Sequence, residues 1–405
     1  MSVRKLLDGN GAAAEAMRLA RVQVVSAYPI TPQSPLAERL ADYVADGSLK
    51  AKYIRVESEH TAMSAAVGAQ LTGVRTGTAT SSVGLALMHE VLGLASGCRV
   101  PIVMPVVNRS LVSPWSLWCD HQDTMAERDS GWIQLYVENC QEVLDTVLMA
   151  YRLAEDPRVL TPTMVCMDGF FLSHTSEAVI VPDQAEVDAF LPPYKKQNMY
   201  LDVEDPMFVN DLTPPGDFTE MRWQQKVGFD NALTVLEEVQ EEFARRFGRR
   251  YHILDAYRCE DAEVVLVAMG SMSGTAKYVV NQLREQGKRV GVLRIVCFRP
   301  FPVEQLREVL RNVPVVGVMD RTAGLGAEVG PVCTEVRAAL SCSDTPHRVV
   351  GFMGGLAGRD LSPAIMRKVF NQLLDIAAGA PAPTAMQWVD VRPDAMEIRE
   401  VKQRV

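Results

Sequence analysis

The sequence predicts two α/β domains in series, each a mainly parallel sheet covered by helices. Three features point to this architecture. Short β-branched or apolar runs alternate with helix-like stretches through the first half of the chain. The alternation breaks between about Phe190 and Met221, where Pro192, Pro193, Pro206, Pro214 and Pro215 interrupt any sustained period. A second alternating pattern begins near Asp261.

In the first domain the expected strands are Val22–Ala27, Tyr53–Val56, Gly77–Thr80, Pro101–Val107, Ile133–Val137 and Thr163–Met167. The helices expected between them are Ser34–Ala45, His60–Leu71, Val83–Gly97 and Cys140–Ala154. Ser34 suits an N-cap and Pro35 the first helical position. Short crossovers between such units give a doubly wound sheet. Beyond the Pro-rich connector, a polar-faced helix is expected over roughly Trp223–Phe247. It ends in Arg245, Arg246, Arg249 and Arg250, which complement a helix C-terminus.

The second domain is expected to run through strand Ala262–Met269, helix Gly274–Gln286, strand Arg289–Val296, helix Val303–Arg311 and strand Val315–Asp320. Helix Val332–Ala339 and a final strand at Val349–Phe352 follow. The stretch after about Ala377 is rich in Ala and Pro and is expected to wrap a neighbour or the surface. These limits divide the chain into residues 1–245, 246–375 and a C-terminal tail, 376–405.

Composition narrows the function. Hydrophobic residues make up 48% and charged residues 22% of the 405, as in a globular protein with ample core. A net charge of −9 argues against a nucleic-acid or anionic-membrane surface, both of which need clustered Lys and Arg. No apolar run reaches the length of a bilayer span. The segment Met1–Leu7 lacks the apolar core and cleavage site of a secretory signal, so a cytoplasmic location is expected. None of the eight cysteines forms a C-x-x-C pair, and the six histidines show no ligand-like spacing. No metal site is expected on this chain, and any iron–sulfur cluster must lie on another.

Three stretches at predicted strand ends are suited to chemistry, because open α/β sheets place their ligands there. In Tyr28-Pro29-Ile30-Thr31-Pro32, two prolines bracket Thr31 and stiffen the loop that presents its hydroxyl; the same residues also suit a plain helix start. In Val56-Glu57-Ser58-Glu59-His60, Glu59 lies at a strand-to-helix junction, where an acid is favourable in any case by about 0.3–1 kcal/mol. The helix that follows is crowded with small residues and is suited to close packing against a partner. In Pro105-Val106-Val107-Asn108-Arg109, Arg109 ends an apolar strand and precedes Trp115 and Trp118. An arginine there is suited to a bidentate, partly desolvated carboxylate. In the second domain, Gly324-Leu325-Gly326-Ala327-Glu328-Val329-Gly330 has the look of a dinucleotide loop, but its spacing is G-x-G-x-x-x-G and Asp320 precedes it.

Tyr28-Pro29-Ile30-Thr31-Pro32, Val56-Glu57-Ser58-Glu59-His60, Thr80-Ser81-Ser82-Val83-Gly84 and Arg128-Asp129-Ser130-Gly131-Trp132 together resemble the alpha-type chains of the pyruvate:ferredoxin oxidoreductase family, the 2-oxoacid:ferredoxin oxidoreductases. Phe298-Arg299-Pro300-Phe301-Pro302 and Gly354-Gly355-Leu356-Ala357-Gly358-Arg359-Asp360 extend the resemblance into the second domain, to about Val369. It implies a pyrimidine-type thiamine-diphosphate-binding three-layer α/β/α domain followed by a transketolase C-terminal-like α/β domain. It also implies a reaction in which a 2-oxoacid and coenzyme A give an acyl-CoA, CO2 and two electrons for ferredoxin.

The implied enzyme works only as a complex. A beta-type chain holds the diphosphate through Mg²⁺, and gamma-type and ferredoxin-like delta-type chains complete it, with [4Fe-4S] clusters on partner subunits. The Gly-Asp-Gly motif of the diphosphate half is absent here, as the pyrimidine half requires. By resemblance Glu59 hydrogen-bonds the pyrimidine, with Pro29, Ile30 and His60 beside the cofactor. Arg109 holds the substrate carboxylate, Thr31 hydrogen-bonds the substrate's oxygens, and Asn108 adjoins them. A larger 2-oxoacid, such as phenylglyoxylate or a branched-chain acid, and NAD as final acceptor stay open. So do a stand-alone nicotinamide dehydrogenase built on the glycine loop and a non-catalytic assembly subunit.

Overall fold

The computed structural model describes residues 2–396. They form two compact units. The first takes the chain up to Asp255 together with Met269–Ser271 and Ile295–Pro302; the second takes Ala256–Ala268, Met272–Arg294 and the chain from Val303 onward.

The chain opens with β1 (Val3–Leu7), α1 (Gly9–Leu19), β2 (Val24–Ala27), α2 (Ser34–Ala45), β3 (Lys52–Arg55), α3 (Glu59–Leu71) and β4 (Thr76–Gly77). Next come α4 (Ser82–Leu87), α5 (His89–Gly97), β5 (Val103–Asn108), α6 (Gln122–Ala126), β6 (Ile133–Tyr136), α7 (Cys140–Ala154) and β7 (Thr163–Asp168). β8 (Glu177–Val181), α8 (Gln184–Phe190) and α9 (Pro215–Phe247) follow. The rest comprises β9 (Leu254–Tyr257), β10 (Val264–Ala268), α10 (Met272–Glu285), β11 (Val290–Ile295), β12 (Cys297–Arg299), α11 (Val303–Leu310) and β13 (Val315–Asp320). It closes with α12 (Pro331–Leu340), β14 (Arg348–Met353), α13 (Pro363–Ala377), β15 (Gln387–Trp388) and α14 (Pro393–Met396).

The first unit is built on a seven-stranded sheet in the order β12-β6-β7-β5-β4-β2-β3, parallel except for β12. From β2 the chain first adds β3 on one side and then β4 on the other. The order therefore reverses at β2/β4, and the crevice beyond their C-terminal ends is where such sheets bind ligands. Strands β5 and β7 are buried at every position, as expected of parallel strands covered on both faces. The second unit carries a six-stranded sheet, β15-β14-β13-β10-β11-β9. Its core packs Val264, Leu266, Val292 and Phe352 against Met366, Phe370 and Leu373 of α13.

Several elements depart from the sequence pattern, each for a physical reason. The pair β1–α1 shows no clear period: β1 is mostly exposed and finds its antiparallel partner β8 far along the chain, and α1 is buried at ten of its eleven positions. The expected helix over Val83–Gly97 is divided at Met88, whose N–H bonds both the Gly84 and Leu85 carbonyls as the turn tightens. Ser34 is the first residue of α2, and Gln33 takes the cap position without a side-chain bond. The long helix starts at Pro215, eight residues earlier than expected, because Pro215 fits a first helical turn.

The Phe298–Pro302 motif clusters with the first unit, since Cys297–Arg299 pairs with β6. Val349–Phe352 is not the last strand: Gln387 and Trp388 pair with Phe352 and Met353 and add an edge to the sheet. The tail beyond residue 396 lies outside the described residues.

Candidate functional site

Glu59 is the first residue of α3 and follows the N-cap Ser58, whose hydroxyl accepts from the Thr61 N–H at 3.2 Å. β3 ends at Arg55, so the short link delivers Glu59 to the sheet's C-terminal edge, beside the switch point. The residue is 6% exposed, and among the described residues no donor takes its carboxylate. Two further polar atoms nearby are buried without partners, Thr80 Oγ1 and Ser81 Oγ. A Cβ on Gly84 would fall 2.6 Å from both Glu59 Oε1 and Thr80 Oγ1. Gly84 therefore keeps open a small polar cradle that any side chain would fill.

Buried groups of this kind carry a desolvation penalty unless something pairs with them. A planar heterocycle bearing both donors and acceptors, such as an aminopyrimidine, has the chemistry to do so. Ser82, next to the cradle, sits at φ 51° in the left-handed region, which costs a non-glycine residue about 1–3 kcal/mol. It is held there by its N–H to Asp123 Oδ2 at 2.9 Å and its hydroxyl to the Ser110 carbonyl.

Arg109 and Thr31 come together. Arg109 Nη1 donates to the Thr31 carbonyl at 2.8 Å and Nε to the Ser116 carbonyl at 3.0 Å. Nη2 has no protein acceptor among the described residues. Burial pulls the guanidinium below its ordinary value, and the charge of Asp123 offsets part of this. An arginine stays charged through such a shift. The loop carrying Thr31 has a cis Thr31–Pro32 bond and is pinned by Asn10, whose amide donates to the Pro32 and Ser173 carbonyls. Pro29 and Thr31 are exposed and Ile30 is half-buried. His60 is also half-exposed, with Nε2 3.6 Å from Glu90.

Asn108 is turned inward. Its Nδ2 donates to Asp123 Oδ1 and Thr124 Oγ1, so the amide braces the end of β5. Asp123 was not legible in the sequence, lying in an aperiodic run. It is fully buried and also accepts the N–H groups of Ser82, Arg109 and Thr124, tying the cradle to the arginine. Burial is the largest influence on its carboxyl and raises it to about 6, against the pull of these hydrogen bonds.

A second network lies at the end of β7. His121 Nε2 and Asp168 Oδ1 are 2.7 Å apart, and the Ser271 N–H donates to Asp168 Oδ2 at 2.9 Å. With Cys119 these groups bring three potential ligand atoms within 4.8 Å of one another, a grouping that spacing along the chain does not reveal.

The glycine loop of the second unit is not built for a dinucleotide. The Asp320 carboxylate accepts the N–H groups of Val332 and Cys333 at 2.9 and 3.0 Å, and Pro331 has none to give. The helix terminus that a pyrophosphate would use is thus occupied by the protein's own anion. Gly330 makes this possible, since a Cβ there would lie 2.2 Å from Asp320 Cγ.

Residues 15–241 match the model of the pyruvate flavodoxin/ferredoxin oxidoreductase thiamine diphosphate-binding domain, which is more than half of the chain. The chain belongs to the pyruvate:ferredoxin oxidoreductase family. Residues 262–366 match the core domain II of the same family. Among relatives, pyruvate synthase subunit PorA of Methanothermobacter thermautotrophicus is 48% identical over 370 residues, covering 91% of this chain and 95% of that one. Ketoisovalerate oxidoreductase subunit VorA of Pyrococcus horikoshii is 42% identical over 391 residues, covering 96% and 98%.

Among solved structures, the 2-oxoglutarate:ferredoxin oxidoreductase of Magnetococcus marinus superposes with a TM-score of 0.71 at 19% identity, over 92% of this chain and 65% of that one. A split-gene transketolase gives 0.52 at 12%, over 90% and 97%. The fold is that of a thiamine-diphosphate-binding α/β domain joined to a transketolase-like α/β domain, and the chain is a subunit of a 2-oxoacid oxidoreductase.

Proposed function

We propose that this family member acts on pyruvate, as the pyrimidine-binding subunit of a CoA-acylating pyruvate:ferredoxin oxidoreductase. The observation that carries the reading is the cradle of Glu59, Thr80, Ser81 and Gly84 beside the Arg109–Thr31 pair, both at the switch point of the thiamine diphosphate-binding domain. Bound thiamine diphosphate would supply the nucleophilic carbon and the electron sink for decarboxylation. Glu59 holds or shares a proton at a pyrimidine nitrogen. Pro29, Ile30 and His60 border the ring and limit water. Arg109, through the guanidinium nitrogen its backbone bonds leave over, takes the substrate carboxylate, and the Thr31 hydroxyl takes a second substrate oxygen. Asn108 acts through Asp123 by fixing the strand end that carries Arg109.

A beta-type chain then supplies the diphosphate site and its Mg²⁺, gamma- and delta-type chains complete the complex, and [4Fe-4S] clusters on the partner subunits carry the electrons to ferredoxin, in the cytoplasm. One cation for the substrate suits a monoanionic 2-oxoacid. A branched-chain substrate is the second reading, favoured by the VorA relative at 42% identity. Turnover of the assembled complex with pyruvate, 2-oxoisovalerate and 2-oxoglutarate, followed with a viologen dye, tests both. Pyruvate should have the highest kcat/KM; a preference for 2-oxoisovalerate would move the assignment to the second reading, and a preference for 2-oxoglutarate would refute both.

A further inference from the structure

We propose that residues 199–227 form an assembly arm that grips the diphosphate-binding partner subunit and extends the contact well beyond the shared cofactor. The proposal rests on the reading of the site given above. Of the nineteen large apolar side chains that stand exposed among the described residues, nine lie within 201–227, among them Leu201, Val203, Phe208, Leu212, Met221 and Trp223. Such density far exceeds the scattered apolar exposure of an ordinary surface and marks a contact site.

The helical part is more telling. From Pro215 to Val227 every residue of α9 is exposed except the half-buried Gln225, and burial begins only at Gly228. Isolated helices of this length are marginal in water, because helices in proteins gain most of their stability from a packed apolar face. Here more than three turns carry Phe218, Met221, Trp223 and Val227 with no such face among the described residues.

The position of the arm identifies its occupant. It leaves the body beside the C-terminal end of α3, where the Leu201 N–H donates to the Leu71 carbonyl at 2.8 Å and Lys196 packs on Gly73. It returns along the end of α5, where Gln225 bonds Ser96 and Gly228 lies against Arg99. Between these points lies an outer face of α3 and α5 on which added Cβ atoms at Gly68, Gly93 and Gly97 would meet nothing. Glu59 begins that same α3, about 18 Å from Leu71 by helix rise. A subunit that covers Glu59 to complete the cofactor site lies along α3 and so reaches the arm; a standard interface is wide enough to hold both.

The arm also carries a sign. Between Leu201 and Glu220 there are six acids and no base, although Asp202 is taken by Lys196 and Asp205 by the Tyr200 hydroxyl. The matching surface of the partner is an apolar groove with a basic rim.

The test is Val203→Ser, Phe208→Ser and Leu212→Ser combined, all exposed positions whose change leaves the fold of the isolated chain intact by circular dichroism. The full-length chain and the triple variant are each titrated with the purified diphosphate-binding subunit. The variant should bind about 30-fold more weakly or worse, the scale of losing a hot-spot residue. Amides of 201–227 should gain hydrogen-exchange protection in the wild-type complex. Undiminished binding by the variant would overturn the arm. So would a variant that alters only self-association of the chain, which would assign the surface to a second copy. If the wild-type chain binds no such subunit at all, the underlying reading of the site falls instead, and the arm with it.

Discussion

Arg109 is fixed by two backbone carbonyls and by the end of a fully buried strand, so its guanidinium arrives preorganised. Arg109→Ala should remove about 2–5 kcal/mol of interaction with the 2-oxoacid, read as a fall in kcat/KM with the KM for coenzyme A little changed. Arg109→Lys should recover only part, since an ammonium lacks the planar fork. A loss confined to coenzyme A would show that the arginine serves the other substrate. Glu59→Gln should leave assembly intact and lower turnover about 100-fold or more, the scale of a lost proton-transfer partner. Near-normal turnover at full thiamine occupancy would reduce Glu59 to a helix-terminal acid.

Asp123 behaves differently, because burial holds its carboxyl at about 6 against an ordinary 3.8. Between those values the folded chain binds the proton more readily than the unfolded chain. This group therefore adds stability as pH falls from about 6 toward 4, and that stability is lost as pH rises through 6. Asp123→Asn lacks the response, so the gap in Tm between wild type and variant should widen from pH 7 to pH 4. A gap independent of pH would show that the carboxyl does not titrate in this range.

Among the elements, β4 is the shortest strand of its sheet with only two residues, yet it borders the switch point. Arg75, just before it and 2% exposed, compensates for this shortness. Its guanidinium pairs with both oxygens of Glu155 at 2.6 Å and donates to the Ala20 and Pro192 carbonyls, binding β4 to the ends of α1 and α7 and to the connector. Arg75→Ala leaves Glu155 buried and unpaired, and should destabilise the chain by about 3–5 kcal/mol in denaturant titration. A loss under 1 kcal/mol would mean that water replaces the arginine. The helices around this strand were legible where their apolar period was clean, as in α2 and α7. They were not legible in α1, whose Ala-rich sequence is buried all round and shows no face.

For the whole molecule, the decisive property is incompleteness. Seven of its cysteines are buried and one is exposed, and all are free thiols. The chain expressed alone should be colourless, bind no iron and decarboxylate no 2-oxoacid. A brown, cluster-loaded single chain would end the proposed division of labour among subunits. The two α/β domains, the family and the strand-end positions of Glu59, Thr31 and Arg109 were legible in the amino-acid order alone, because alternation, punctuation and motif are local properties of a chain. The folded chain was needed to see that Arg109 bonds the Thr31 carbonyl, that Asn108 faces inward to Asp123, and that Asp320 fills the terminus a dinucleotide would need. It also moved the Phe298–Pro302 motif to the first unit and exposed the apolar arm at 199–227. Each of these depends on which distant segments meet, and burial, hydrogen-bond satisfaction and close approach at glycine become visible only once they have met.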